Sequence, residues 1–159
     1  MATKQPIRVL FVCAGNICRS PMAEAVFRHL VRQVNLSDRF EIASAGTGSW
    51  HVGEKPHPGT QAILQRYGVG VGDKRAMHLT AKDLDYYDYV LAMDGENLSD
   101  IQALKSAPEK VFRLLDFAPD SRTRDVPDPY YNGAFERVYS LVTIGCQGLL
   151  QSIRQREGV

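Results

Sequence analysis

Cys13 and Arg19 bracket the segment Cys13-Ala14-Gly15-Asn16-Ile17-Cys18-Arg19, which follows the apolar run Val9 to Val12 and leads through Ser20-Pro21 into a helical pattern. A thiol between a strand end and a helix start sits where backbone N–H groups and the positive end of the helix dipole converge. That field stabilises a thiolate and would hold a phosphate equally well, so the loop supplies a nucleophile and an anion cradle together. Gly15 and Asn16 are residue types that tolerate left-handed backbone angles, which let successive N–H groups turn inward. Arg19 offers a planar fork matched to two phosphoryl oxygens, and Ser20 offers a hydroxyl that can donate to the thiolate. A lone cysteine at a strand end is most often a small core hydrophobe. Its company here reverses that balance and points to phosphoryl transfer through cysteine.

Attack by a thiolate on phosphorus gives a phosphocysteine, and the departing oxygen then needs a proton. Asp128 is the leading donor, because Pro129 holds it extended in a loop that can reach over the strand ends. An aspartate before proline is also an ordinary turn residue, and Asp125, Asp116 and Asp120 compete for the role. Tyr130 and Tyr131 directly follow Asp128-Pro129 and could wall a site for an aryl leaving group, with Trp50 opposite.

These residues need a scaffold that collects distant loops. Ile7 to Val12 reads as a strand and Pro21 as the opening of a helix with Ala25, Val26, Leu30 and Val34 on one side. Phe40 to Ala43 is a second strand, followed by a glycine-rich loop through Trp50, and Pro58 starts a helix that Gly68 can end. Thr80 caps a short helical turn, Tyr89 to Met93 forms a third strand, and Asn97 to Leu104 a helix. Val111 to Leu115 forms a fourth strand, and Ala134 to Arg154 a long terminal helix with an apolar stripe. Alternating strands and helices predict an α/β fold: one domain spanning residues 1–159, with a four-stranded parallel sheet and helices on both faces. Ligands of such sheets bind beyond the carboxyl ends of the strands, where the Cys13 loop, the Trp50 loop, the Asp94 turn and the Asp128 loop would meet.

The chain's 159 residues suit a single core, and its charge of +1, from 19 basic and 18 acidic residues without a run of one sign, argues against nucleic acid as partner. Its three cysteines lack the spacing of a zinc site or a secreted disulfide framework, so a reducing, cytoplasmic setting is expected. Lys4, Arg8 and the apolar segment ending at Cys13 superficially suggest a lipid-anchored export signal. The segment is short, Arg8 abuts it, and Val12 is bulky where cleavage wants a small residue, so it reads as a buried strand. No stretch is long enough to span a membrane. His29, His51, His57 and His78 lack metal-ligand spacing, and His51 and His57 read as rim residues.

VLFVCAGNICRSPM from Val9 to Met22, together with DPYYNGAFERVYSLV from Asp128 to Val142, resembles the low-molecular-weight protein tyrosine phosphatase family across essentially the whole chain. The resemblance implies a flavodoxin-like three-layer sandwich and metal-free, cofactor-free hydrolysis of phosphotyrosine. It implies Cys13 as nucleophile, Arg19 as phosphate clamp and transition-state stabiliser, and Asp128 as general acid and then base. The loop residues Ala14, Gly15, Asn16, Ile17 and Cys18 would hold the phosphate, with Ser20 assisting the thiolate. Asn16 and Ser44 would belong to a network fixing the loop, Asp94 would support the site, and Trp50, Tyr130 and Tyr131 would line the cleft. The expected partner is a phosphotyrosine protein, a tyrosine kinase or one of its targets, met by a monomer. The resemblance also implies that Tyr130 and Tyr131 can be phosphorylated.

One departure stands out. Family members commonly carry a histidine followed shortly by arginine after the second helix, where this chain reads Gly72-Asp73-Lys74-Arg75-Ala76-Met77. An imidazole bracing Asn16 is thus absent, and Asp73, Arg75 and His78 are the open substitutes. Other chemistries use similar scaffolds. Arsenate reductases need further mid-chain cysteines, and residues 19–145 contain none. Arginine phosphatases resemble the chain more closely, but typically have threonine where Ile17 stands. An apolar Ile17 favours a phenyl phosphate. A module that merely captures phosphate would leave Cys13 without a purpose. Cys18, five positions from Cys13 in a tightly curled loop, is either a packing residue or the partner of Cys13 in a protective, reversible disulfide.

Overall fold

The computed structural model describes residues 5–159. Four strands, β1 (Ile7–Cys13), β2 (Phe40–Gly46), β3 (Tyr89–Ala92) and β4 (Val111–Arg113), form one parallel sheet in the order β2-β1-β3-β4. Five helices connect and flank them: α1 (Arg19–Gln33), α2 (Pro58–Arg66), α3 (Ala81–Tyr86), α4 (Gly95–Leu104) and α5 (Phe135–Glu157). Alternation along β1 divides the core. Val9, Phe11 and Cys13 face the side covered by α1 and α5, and Leu10 and Val12 face Leu84 of α3 and Ile101 of α4. The sheet is therefore covered on both faces, as the sequence pattern predicts.

Phe11 and Phe27 are fully buried with ring centroids 5.5 Å apart. Burying each contributes about 1.5–3 kcal/mol, which ties α1 to the strand carrying Cys13. On the same face α5 crosses a 3₁₀ turn at Leu114–Phe117. The crossing is close enough that a Cβ on Gly148 would lie 1.8 Å from the Phe117 carbonyl oxygen, so only glycine fits.

Several boundaries differ from the sequence reading, each through tertiary pairing. β2 runs on through Ser44, Ala45 and Gly46, small residues that pair with Phe11, Val12 and Cys13 of β1. β4 ends at Arg113, because Leu114 and Leu115 leave the sheet to bury in the 3₁₀ turn. α1 starts at Arg19, ahead of Pro21, and α4 starts at Gly95, ahead of Asn97, because the Asp94 side chain caps the Asn97 N–H at 2.7 Å. α5 continues to Glu157 and stops at Gly158, whose φ of 69° is left-handed.

Candidate active site

The loop between β1 and α1 has a one-sided pattern of hydrogen bonding. Four of its carbonyls are tied to the surrounding chain. The Cys13 and Ala14 oxygens accept the Thr47 and Gly48 N–H groups at 2.9 Å each, and the Ile17 oxygen accepts the His57 N–H at 2.7 Å. The Cys18 oxygen accepts the Thr60 hydroxyl at 3.0 Å. By contrast, none of the N–H groups from Ala14 to Cys18 donates to a protein acceptor among the described residues. The start of α1 likewise has no side-chain cap and no acidic residue in its first turn. Bonded carbonyls and open amides at a helix N-terminus make an anion nest. Asn16 supplies the turn with a left-handed φ of 57°. Gly46 of β2 permits the approach, since a Cβ there would lie 2.8 Å from the Ala14 carbonyl oxygen.

Beneath the loop, the direction of each proton follows from the acceptors. The Glu24 carboxylate accepts the Ser44 hydroxyl at 2.6 Å, so Ser44 must receive the Asn16 amide N–H at 2.9 Å with its lone pair. The Asn16 orientation is fixed at its other end, where Oδ1 accepts the Met77 N–H at 2.8 Å. Its second amide proton goes to the Ser20 oxygen at 2.8 Å. Ser20 therefore keeps its own proton, with the Cys13 sulfur at 3.0 Å and the Ala45 carbonyl at 3.5 Å as the acceptors in reach. A chain anchored on a buried carboxylate thus ends in a hydroxyl beside the Cys13 sulfur. Cys18, also a free thiol, is pushed up to about 12 by burial first and then by the charges of Cys13 and Asp128. It therefore keeps its proton at neutral pH.

Arg19 is 3% exposed. Its Nη1 donates to Asp94 Oδ2 at 2.5 Å and to the Val126 carbonyl at 2.9 Å, while its Nη2 lies 3.6 Å from Asp128 Oδ2. The buried Nε has no partner among the described residues. One side of the guanidinium is thus committed to structure, and the Nε–Nη2 edge remains for a two-oxygen ligand. Burial pulls the Arg19 proton affinity down, but Cys13, Asp94 and Asp128 together raise it beyond the ordinary arginine value.

The structure separates the four rival aspartates. Asp125 accepts the Gly95 N–H at 2.9 Å, and Asp116 accepts the Arg113 N–H at 3.1 Å, both away from the cleft. Asp120 does not line the cleft either, whereas Asp128 does, with its Oδ1 accepting the Tyr130 N–H at 3.0 Å. This Asx turn presents the other oxygen to Arg19.

The cleft above the loop has a volume of about 310 Å³. Cys13, Ala14, Gly15, Ile17, Cys18 and Arg19 form its floor, and Trp50, Tyr130 and Tyr131 its aromatic walls with Asp128 between. His51 joins the rim as expected. His57 lies behind it, stacking on Phe135 at 5.0 Å and meeting the Tyr130 ring edge-on at 5.8 Å, which braces the wall. Tyr131 is 85% exposed and Tyr130 49%. Of the expected residues, Asn16, Ser20 and Ser44 sit under the loop, and Asp94 sits behind Arg19.

None of the three candidates for bracing Asn16 does so. Arg75 donates to the Gly53 carbonyl, His78 contacts the Thr47 carbonyl, and Asp73 makes no contact with Asn16. Instead the backbone N–H of Met77 holds Asn16, and Lys74 binds the Ser44 carbonyl at 2.7 Å with Glu24 at 3.8 Å. Glu24 and Lys74 were missed. Glu24 left a signal, because it follows Ser20 by one helical turn on the buried face of α1.

The family model for low molecular weight phosphotyrosine protein phosphatase matches residues 8–158. The chain is 47% identical over 153 residues to the low molecular weight protein-tyrosine-phosphatase YfkJ of Bacillus subtilis, covering 95% of this chain and 98% of the relative. The crystal structure of YfkJ superposes with a TM-score of 0.94 at 46% identity, covering 98% of this chain and 99% of that one. A Drosophila arginine phosphatase, DARP, superposes at 0.85 with 34% identity, covering 93% of this chain and 98% of that one. The loop with its open amides and the sulfur beside Ser20 thus stand in a chain that belongs to the low molecular weight phosphotyrosine protein phosphatase family.

Proposed function

We propose that this protein hydrolyses protein phosphotyrosine and small aryl phosphates through a phosphocysteine intermediate. The observation that supports this most directly is the polarity of the Cys13 loop, with carbonyls bonded outward, amides open, and the Ser20 hydroxyl 3.0 Å from the sulfur. The phosphate oxygens take the N–H groups of Ala14 to Cys18 and the Nε–Nη2 edge of Arg19. Cys13 Sγ attacks phosphorus in line, a P–S bond forms, and the P–O bond to the phenol breaks. Asp128 gives its proton to the departing oxygen. It then takes a proton from water, whose oxygen attacks phosphorus and breaks the P–S bond. The leaving thiolate is stabilised by Ser20, and inorganic phosphate departs. Arg19 is already fixed on one side by Asp94 and Val126, so it meets the transition-state charge without reorganising.

Ile17 and the aromatic walls fit a phenyl ring in preference to a guanidinium. The enzyme acts as a cytoplasmic monomer on phosphotyrosine proteins, among them a tyrosine kinase or its targets. Its three free thiols suit a reducing compartment, and among the described residues no helix is long and apolar enough to cross a membrane. The test compares phosphotyrosine, phosphoserine and phosphoarginine peptides with an aryl phosphate, with and without a chelator. Phosphotyrosine turnover indifferent to chelation is expected, with activity lost and phosphate binding kept in Cys13→Ser. A preference for phosphoarginine would overturn the assignment.

A further inference from the structure

Lys74 lies in a segment that reads as a solvated turn, yet its side chain is only 9% exposed. Its ammonium donates to the Ser44 carbonyl at 2.7 Å and lies 3.8 Å from Glu24 Oε1, the same oxygen that accepts the Ser44 hydroxyl. Ser44 is thereby gripped at main chain and side chain by one lysine–glutamate pair. From Lys74 the chain continues as a strap beside β2, where Met77 gives its N–H to Asn16 and its carbonyl accepts the Gly46 N–H at 2.8 Å. Glu24 also receives Arg28 at 2.7 Å, so the charged groups around Lys74 are Glu24 and Arg28 of α1 and the Cys13 sulfur at the end of β1. Burial pulls the ammonium below the ordinary lysine range, while Glu24 and Cys13 favour its charge.

We infer that Lys74 is a positioning residue for the nucleophile: its buried positive charge, locked on Ser44 and Glu24, fixes the Glu24–Ser44–Asn16–Ser20 chain and favours the thiolate of Cys13. A neutral group in its place would leave Glu24 as a buried anion with one fewer cation, linked through Ser44, Asn16 and Ser20 to the sulfur that must also become an anion. Lys74 touches no reacting atom. Its effect reaches the sulfur through the field of a charge in a poorly screening interior and through the order of four hydrogen bonds. As a contribution to catalysis this rests on the phosphatase reading, but its effect on the thiol does not.

The experiment measures alkylation of Cys13 by iodoacetamide at about pH 6 and about pH 9, together with aryl phosphate hydrolysis, in the parent, Lys74→Met, Lys74→Gln and Lys74→Arg. Lys74→Met is expected to be alkylated about tenfold more slowly at the lower pH and at the parent's rate at the higher one, with kcat/KM at the lower pH reduced by about the same factor. Lys74→Gln keeps a donor for the Ser44 carbonyl without the charge, and shows the same slowing. Lys74→Arg restores the parent's behaviour within about threefold. If either neutral variant is alkylated at the lower pH within about twofold of the parent, or if Lys74→Arg is as slow as they are, the inference is wrong. Should Lys74→Met fail to fold, Lys74→Gln decides alone. A parent that does not hydrolyse phosphotyrosine, beside neutral variants still slow to alkylate, would refute the phosphatase reading and leave this one standing.

Discussion

Asp94 joins two structural tasks in one carboxylate, and replacing it separates them. One oxygen caps α4 through the Asn97 N–H at 2.7 Å, and the other holds Arg19 Nη1 at 2.5 Å. Asp94→Ala removes both. Losing an N-cap costs about 1 kcal/mol. Stripping a buried charge of its partner costs about 3–5 kcal/mol. The side chain of Asp94 is 21% exposed against 3% for Arg19, so water can partly replace the lost carboxylate and the low end applies. The sum is about 4 kcal/mol. Asp94→Asn has a single acceptor oxygen for these two donors, so it keeps the cap but turns an NH2 toward Arg19, at about 3 kcal/mol. For a chain of 159 residues the unfolding entropy is about 0.33 kcal/mol/K, so melting should fall by about 12 °C in the alanine variant and about 9 °C in the asparagine variant. Thermal melts followed by circular dichroism measure both. Catalysis should be less tolerant than stability, because Arg19 in either variant is free to tilt its Nε–Nη2 edge away from phosphate. An alanine variant melting within about 3 °C of the parent would mean that Val126 and Asp128 suffice to hold Arg19, and the argument for a half-committed guanidinium would fail.

Other consequences follow from the same geometry. Asp128→Asn should lower kcat/KM, which reports only the steps through departure of the phenol, by about 10²–10⁴ for phenyl phosphate and by much less for p-nitrophenyl phosphate, whose leaving group needs little protonation. An equal loss for both would remove Asp128 from the proton-donor role. Cys18, held as a thiol up to about 12, retains its proton in the native state when the unfolded chain, with a value near 9.0, has lost it. Stability from this residue is therefore complete below about pH 9 and declines toward about pH 12. Cys18→Ala should flatten the urea-midpoint profile over that window, and an unchanged slope would contradict the burial argument. Gly46→Ala sets a methyl group 2.8 Å from the Ala14 carbonyl, which should cost about 1–3 kcal/mol and weaken inhibition by inorganic phosphate. Parent-like phosphate inhibition in a folded Gly46→Ala protein would show that the loop has room to move.

What could be read from the sequence is what depends on neighbours along the chain. Cys13, Arg19 and Ser20 share one strand, one turn and one helix start, so their placement together followed from local backbone physics. Asp128 could only be ranked above Asp116, Asp120 and Asp125. The choice depends on where a distant loop comes to rest, and no local feature distinguishes an acid facing Arg19 from one capping Gly95. The end of β2 was missed for a related reason. Ser44, Ala45 and Gly46 have no strand-like apolar alternation, and their conformation comes from parallel pairing with Phe11, Val12 and Cys13. Lys74 lay deepest out of sight. Flanked by Asp73 and Arg75, it has the composition of a solvent-facing turn, and its burial results from the strap that follows it along β2.

Arg19 and Lys74 are built alike and used differently. Each is a buried cation held by one carboxylate and one main-chain carbonyl, Asp94 and Val126 for the first, Glu24 and Ser44 for the second. Unpaired, either would be a large destabilising term, and fully satisfied, either would have nothing left for a phosphate. The difference is in the donors that remain. Arg19 keeps an unpartnered Nε and an Nη2 only loosely opposed by Asp128 at 3.6 Å, so a rigid fork is still presented to the ligand. Lys74 is committed to the strand beneath the loop and offers the site its charge alone. The two therefore fail differently when perturbed. Disturbing the support of Arg19 should cost stability and transition-state binding together, whereas neutralising Lys74 should appear first in the reactivity of the Cys13 sulfur, before any substrate is bound.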